Sequence, residues 1–183
     1  MATAVQPLSG VYAVDPIHST FGFAVKYMGV TTFKGTLDDV AGTLTVGADG
    51  ATLEGAAQVE SISIRTPEQF RQHVLADDFF AADTYPAVTF ASDSVELADD
   101  GSATVSGRLT IRDVTQTVTA TGNWSPEAEL FGQTKAALAL STTIDRTAFG
   151  LNWNADLPTG GKALANDVTL TIELTLLAQP TEG

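Results

Sequence analysis

Few side chains in this sequence are equipped for covalent or acid–base chemistry. It has no cysteine, which removes thiolate nucleophiles, thiolate metal sites and a disulfide framework. Its two histidines, His18 and His73, are far apart and form no HExxH or other paired-histidine spacing. No metal site is read from the sequence, and no glycine-rich phosphate loop or other cofactor motif accompanies it. Asp77 and Asp78 are paired in spelling only, because neighbouring carboxylates in a capping segment accept backbone N–H bonds more readily than they share acid–base work. His18 follows Pro16 into a strand and suits a turn-fixing hydrogen bond to backbone or hydroxyl. Arg146 suits a structural cation paired to a nearby carboxylate, since its planar fork commonly locks strands or loops. The richer set is aromatic: Phe21, Phe23 and Tyr27; Phe70 beside His73; Phe79 and Phe80; Phe149 and Trp153. Rings with a few hydroxyl or imidazole groups among them make a binding surface for an apolar small molecule.

These residues need elements to hold them, and the dominant signal is period two broken by Gly, Asp and Pro. Phe21, Phe23, Val25 and Tyr27 share one face of a strand, with Thr20, Gly22, Ala24 and Lys26 on the other. Val40 to Val46, Leu53 to Val59, Ala103 to Ile111, Val114 to Trp124, Leu138 to Ile144 and Val168 to Leu176 repeat the pattern. The apolar phase slips between Val59 and Ile62, which predicts a bulge or bend. Turns are expected at Asp49-Gly50, Asp100-Gly101, Arg112-Asp113 and Gly160-Gly161. One helix is predicted over 67–75, with Thr66 as N-cap, Pro67 in the first turn and Gln69 completing a capping box. It places Phe70 and Val74 on one face, with His73 beside them.

The fold class that follows is all-β, an antiparallel sandwich or barrel with one short helix, and closure is favoured because so many strands would otherwise leave edges to manage. Gly42, Gly55, Ala57, Gly107, Ala120 and Gly122 fall in the inward phase. They either leave room for a ligand or mark corners and close backbone approach. The barrel spans 10–178, between a flexible N-terminal segment, 1–9, and a tail, 179–183. A formal charge of −13, with only nine Lys and Arg spread singly, offers no stripe for nucleic acid and repels anionic membranes. No stable membrane insertion is expected, because no stretch approaches a membrane span. As written, the chain reads as cytoplasmic, since Met1 to Gly10 has no basic region followed by an apolar one; secretion or periplasmic residence would follow from a trimmed leader.

Four blocks in order resemble the YceI-like family of polyisoprenoid-binding bacterial barrels. They are Asp15-Pro16-Ile17-His18-Ser19 with Phe21, Phe23 and Met28-Gly29-Val30; Asp78-Phe79-Phe80 with Tyr85-Pro86, Thr89-Phe90 and Ser92; Gly107, Leu109-Thr110-Ile111 and Val114-Thr115; and Arg146, Phe149 to Asn154, Gly160-Gly161 and Asp167-Val168. The last resembles the actinobacterial version most. The resemblance implies an elongated, lipocalin-like antiparallel β-barrel that binds isoprenoid, quinone-like or fatty-acid-derived molecules, usually as a homodimer. It also marks departures. Tyr27 stands where the family usually has His, Asp113 where it has Gly, and Phe70 where Arg is expected in a block whose Glu68, Gln69 and His73 match. With those two cationic positions aromatic, a neutral or weakly polar ligand is expected over an anionic one.

The function read from the sequence is a binding or carrier protein for an elongated hydrophobic molecule, without a cofactor. The alternative is a cyclase or isomerase in the same cavity, with Tyr27 or His73 as proton donor. The expected ligand-binding residues are Phe21, Phe23, Tyr27, Phe70, His73, Phe79, Phe80, Phe149 and Trp153.

Overall fold

The computed structural model describes residues 7–181. Most of the expected segment 1–9 and the end of the tail fall outside that range, and within it Leu8 is already buried in the core. Ten antiparallel strands follow: β1 (Gly10–Val14), β2 (Thr20–Tyr27), β3 (Thr31–Leu37), β4 (Val40–Gly47), β5 (Gly50–Gln58), β6 (Ala87–Leu97), β7 (Ser102–Ile111), β8 (Val114–Leu130), β9 (Gln133–Asp145) and β10 (Leu164–Ala178). The helix α1 spans Glu68–Leu75, between β5 and β6. It forms where predicted, but Pro67 is its N-cap and no side chain caps it, so the Thr66–Gln69 box is not made.

Closure comes from pairing β1 with both β4 and β10, which joins eight strands in a ring. β10 is longer than its partner β1. The register runs Tyr12↔Ala178 to Val14↔Leu176 at one end of β10. At the other end β2 takes over the same edge, from Thr20↔Glu173 to Tyr27↔Leu164. The corner between β1 and β2 is fixed by Asp15, whose carboxylate accepts the Ile17 N–H at 2.9 Å and bonds His18 Nδ1 at 2.7 Å. His18 therefore fixes the turn as expected, through a carboxylate rather than a backbone or hydroxyl group. The expected slip after Val59 is a 3-10 turn, Val59–Ser61, that keeps Val59, Ile62 and Ile64 all buried.

Inside, the barrel changes character along its axis. At the end where β1 begins and β10 finishes, Tyr12, Leu44, Leu138 and Leu176 are almost fully buried, and Trp124 donates to the Ala98 carbonyl at 2.9 Å. The Tyr12 hydroxyl accepts the Ser9 N–H at 3.1 Å and also bonds the Glu127 carboxylate. Burial, reinforced by Glu127, pushes that phenol above its ordinary range. This end is packed solid. Toward the other end the interior opens.

The inward small residues divide between the two readings left open above. A Cβ on Gly122 would lie 1.8 Å from the Ala139 carbonyl oxygen, and one on Gly107 would lie 2.6 Å from the Phe90 ring. Those two glycines permit close approach of neighbouring backbone or ring. Gly55, Ala57 and Ala120 instead line open space.

Candidate functional site

The open end holds a cavity of about 360 Å³, walled by β2, β3, α1, β10 and the segment after β9. Phe21, Phe23, Val25 and Tyr27 reach it from alternate positions of β2, as the period-two pattern requires. Phe70 and Val74, one helical turn apart on α1, face it from above. Phe79, Phe80 and Trp153 complete an almost wholly apolar lining. At Phe21, Val88 and Leu170 this space meets a narrower inner chamber of about 90 Å³, bounded by Gly55, Ala57, Val105, Val118, Ala120 and Leu140. The volume of the outer part falls within the range of roughly 300–1,000 Å³ usual for small-molecule sites. Tyr27 and Phe70 are 44% and 39% exposed, which puts the mouth between the β2–β3 tip and α1.

Two aromatic groups frame that mouth. Phe33 stands between Phe23 and Phe70, with ring centroids 6.1 and 5.9 Å away. On the other side Phe79 and Trp153 lie 5.3 Å apart, and His73 packs edge-on to both at 5.2 and 4.8 Å. These offset and edge-to-face contacts hold the rings as a semi-rigid rim. Arg71 ties α1 to the preceding turn, donating to the carbonyls of Glu60, Ile62 and Ile64 at 2.7–3.3 Å.

Seven of the nine residues singled out from the sequence line this cavity: Phe21, Phe23, Tyr27, Phe70, Phe79, Phe80 and Trp153. His73 stands behind Phe79 and Trp153, with its Nε2 buried and unpartnered among the described residues. Phe149 is a correction. It is packed in the core away from the cavity, because Arg146–Phe149 forms a 3-10 turn ended by Gly150 at φ 80°, and strand alternation linking 149 to 153 does not apply. Sequence reasoning missed Phe33, although it alternates with Thr32 and Lys34, and Ile64, whose inward phase was visible.

Arg146 is the other correction. It lines the cavity, is 4% exposed, and has no carboxylate partner among the described residues. Its Nε donates to the Ala165 carbonyl at 2.9 Å, and its Nη1 to the carbonyls of Leu151 and Trp153 at 2.6 and 2.8 Å. Asp145, the adjacent carboxylate, is turned instead to the N–H and hydroxyl of Thr147. Burial pushes the guanidinium below its ordinary range, with Asp145 opposing weakly. No cluster of three or more His, Asp or Glu residues suited to a metal occurs among the described residues. Among the same residues no helix is long and apolar enough to cross a membrane.

The fold has parallels among known proteins. The model of the YceI-like domain matches residues 12–176. A UPF0312 protein of Staphylococcus aureus (strain USA300) is 32% identical over 162 residues, covering 86% of this chain and 91% of its own length. Among solved structures, BcnA of Burkholderia cenocepacia superposes with a TM-score of 0.70 at 22% identity, over 88% of this chain and 98% of that one. A polyisoprenoid binding domain from Saccharophagus degradans, implicated in plant cell wall breakdown, gives 0.69 at 17% identity over 92% and 98%. At these identities the two structures speak for the fold.

Proposed function

The chain belongs to the YceI-like family, and on that premise we propose that it is a carrier that holds one elongated apolar molecule inside its barrel. The observation that carries this reading is the interior itself: a cavity of about 360 Å³, bordered at Phe21, Val88 and Leu170 by a deeper chamber, both lined almost throughout by hydrocarbon and aromatic rings. A close-packed core leaves no such space, and apolar surface around it gains by receiving an apolar chain. Burying a methylene is worth about 0.8 kcal/mol, so roughly ten of them give about 8 kcal/mol before ordering costs, near micromolar affinity. The likeness to the polyisoprenoid binding domain of Saccharophagus degradans makes a polyisoprenoid chain the first ligand class to try. The lining offers little for turnover. Tyr27 is its neutral hydroxyl donor, half exposed at the mouth, and His73 stands behind two rings.

Native mass spectrometry of protein purified from its own host tests the proposal. A carrier retains a small-molecule mass that organic extraction releases, and the extracted protein takes up a polyprenol stoichiometrically. Extracted protein that stays empty at micromolar polyprenol refutes the carrier reading.

A further inference from the structure

The cavity lining is apolar with one conspicuous exception. Arg146 is 96% buried by its 4% exposure, and it is a permanent cation set into hydrocarbon. Ionised side chains in such surroundings normally carry a counter-charge, because an unpaired buried charge costs several kcal/mol. Here three of the five guanidinium N–H groups are spent on backbone carbonyls, which are dipoles and not charges. Nη2 is buried and has no hydrogen-bond partner among the described residues. The nearest candidate in sequence, Asp145, is committed to Thr147.

We propose that Arg146 is the head-group subsite of the cavity, and that the preferred ligand is an apolar chain ending in a single negative charge, a carboxylate, received by Nη2. The proposal rests on the carrier reading and adds the polarity of the ligand to it. The charge balance argues for one anion rather than several. Arg71 is absent from the cavity lining and turned to the carbonyls of Glu60, Ile62 and Ile64, and Lys162 is paired with Asp156 at 2.5 Å. Phe70 and Tyr27 at the mouth contribute no cation. A dianionic or pyrophosphate head would therefore remain under-compensated, whereas a monoanion and Arg146 neutralise each other. This reverses the expectation drawn from positions 27 and 70. That expectation rests on positions 27 and 70 alone and leaves out Arg146, for which the structure provides no carboxylate partner among the described residues. It also gives the three carbonyl contacts a role: they fix the guanidinium plane so that Nη2 is held ready.

The test compares dodecanoate with dodecan-1-ol and methyl dodecanoate, at neutral pH and physiological salt, on the unmodified protein. A charge-assisted hydrogen bond predicts that the carboxylate binds at least about tenfold tighter than either neutral analogue. Carbon-13 NMR of carboxyl-labelled dodecanoic acid in the complex supplies a second readout. Its carboxyl should titrate below the free acid, because a nearby guanidinium favours the ionised form while burial alone raises it. Arg146→Met should abolish the preference for the carboxylate over the two neutral analogues; if that variant does not fold, the analogue series and the titration decide alone. Equal or tighter binding of the neutral analogues, or a carboxyl that titrates above the free acid, overturns the subsite and leaves the carrier reading standing. If none of the three binds while a polyprenol does, the subsite falls and the carrier reading stands; if the polyprenol fails as well, both fall.

Discussion

Ala120→Leu probes whether the inner chamber belongs to the ligand site. Residue 120 faces inward on β8, is 7% exposed, and lines the chamber of about 90 Å³ below Phe21. Leucine adds three carbons there, enough to occupy much of a space of that size. A chain that previously reached the chamber would then withdraw about three or four methylenes. At about 0.8 kcal/mol each, the loss is roughly 2.5–3 kcal/mol, on the order of a hundredfold in affinity. A chain short enough to end in the outer cavity would be unaffected. The assay is calorimetric titration with straight-chain alcohols from octanol to octadecanol against both proteins. The thermal midpoint is recorded alongside, because overpacking a core costs about 1–3 kcal/mol. The expected result is a loss that grows with chain length and vanishes for octanol. Equal loss at every length, or none at octadecanol, would refute the view that the two spaces form one site.

Three further outcomes follow from the same coordinates. Gly122→Ala places a Cβ 1.8 Å from the Ala139 carbonyl oxygen, so it should lower the urea midpoint by the equivalent of about 3 kcal/mol or more; a near-neutral result would mean that β8 and β9 are not so closely apposed. Tyr12→Phe removes the bond to Glu127 at the closed end and should cost about 1–3 kcal/mol with ligand affinity unchanged, measured by denaturation and titration together. The Asp15 carboxyl is held below its ordinary value, first by His18 and then by the Ile17 N–H. Its contribution to stability is therefore complete above the unfolded carboxylate pKa of about 3.9 and fades as pH falls through the lower folded value. The stability gap between the natural protein and Asp15→Asn should shrink in acid, and a gap independent of pH between 6 and about 2 would contradict the assignment.

The parts of the fold most visible in the sequence were those with strict alternation on both sides of a clear turn. β7 and β8 are of this kind, with Arg112 at φ 57° between them. β1, β3 and β6 were not drawn from periodicity. β1 has only five residues, and β3 alternates around Gly35, which leaves room for the Phe23 ring. β6 carries a bulge between Ser92 and Ser94 that breaks its phase. The site was legible wherever a regular element presents it, as with Phe21 and Phe23 on β2 or Phe70 on α1. Legibility failed after β9, where a 3-10 turn sends Phe149 into the core and Arg146 to the cavity. No local pattern tells a buried arginine whether its partner is a carboxylate or a carbonyl, since that depends here on backbone five to nineteen residues away. The capping box failed for a related reason: Pro67 takes the cap itself, and spelling alone does not decide which residue sits there.

The ring of strands is closed by a seam between Tyr12–Val14 and Leu176–Ala178, residues from opposite ends of the chain. Most other strand pairs are neighbours in sequence and can form as local hairpins soon after they are made. The seam cannot. A ribosome must release the whole span from β1 to β10 before the two meet, and until then both carry bare edges. Loop closure over that distance puts the last step of assembly among slow, non-local events, so refolding should proceed on the millisecond-to-second scale of long-range β topologies. Shortening the chain from either end past the seam does more than trim it. It turns a closed ring into an open sheet with two unpaired borders, each a template for another molecule.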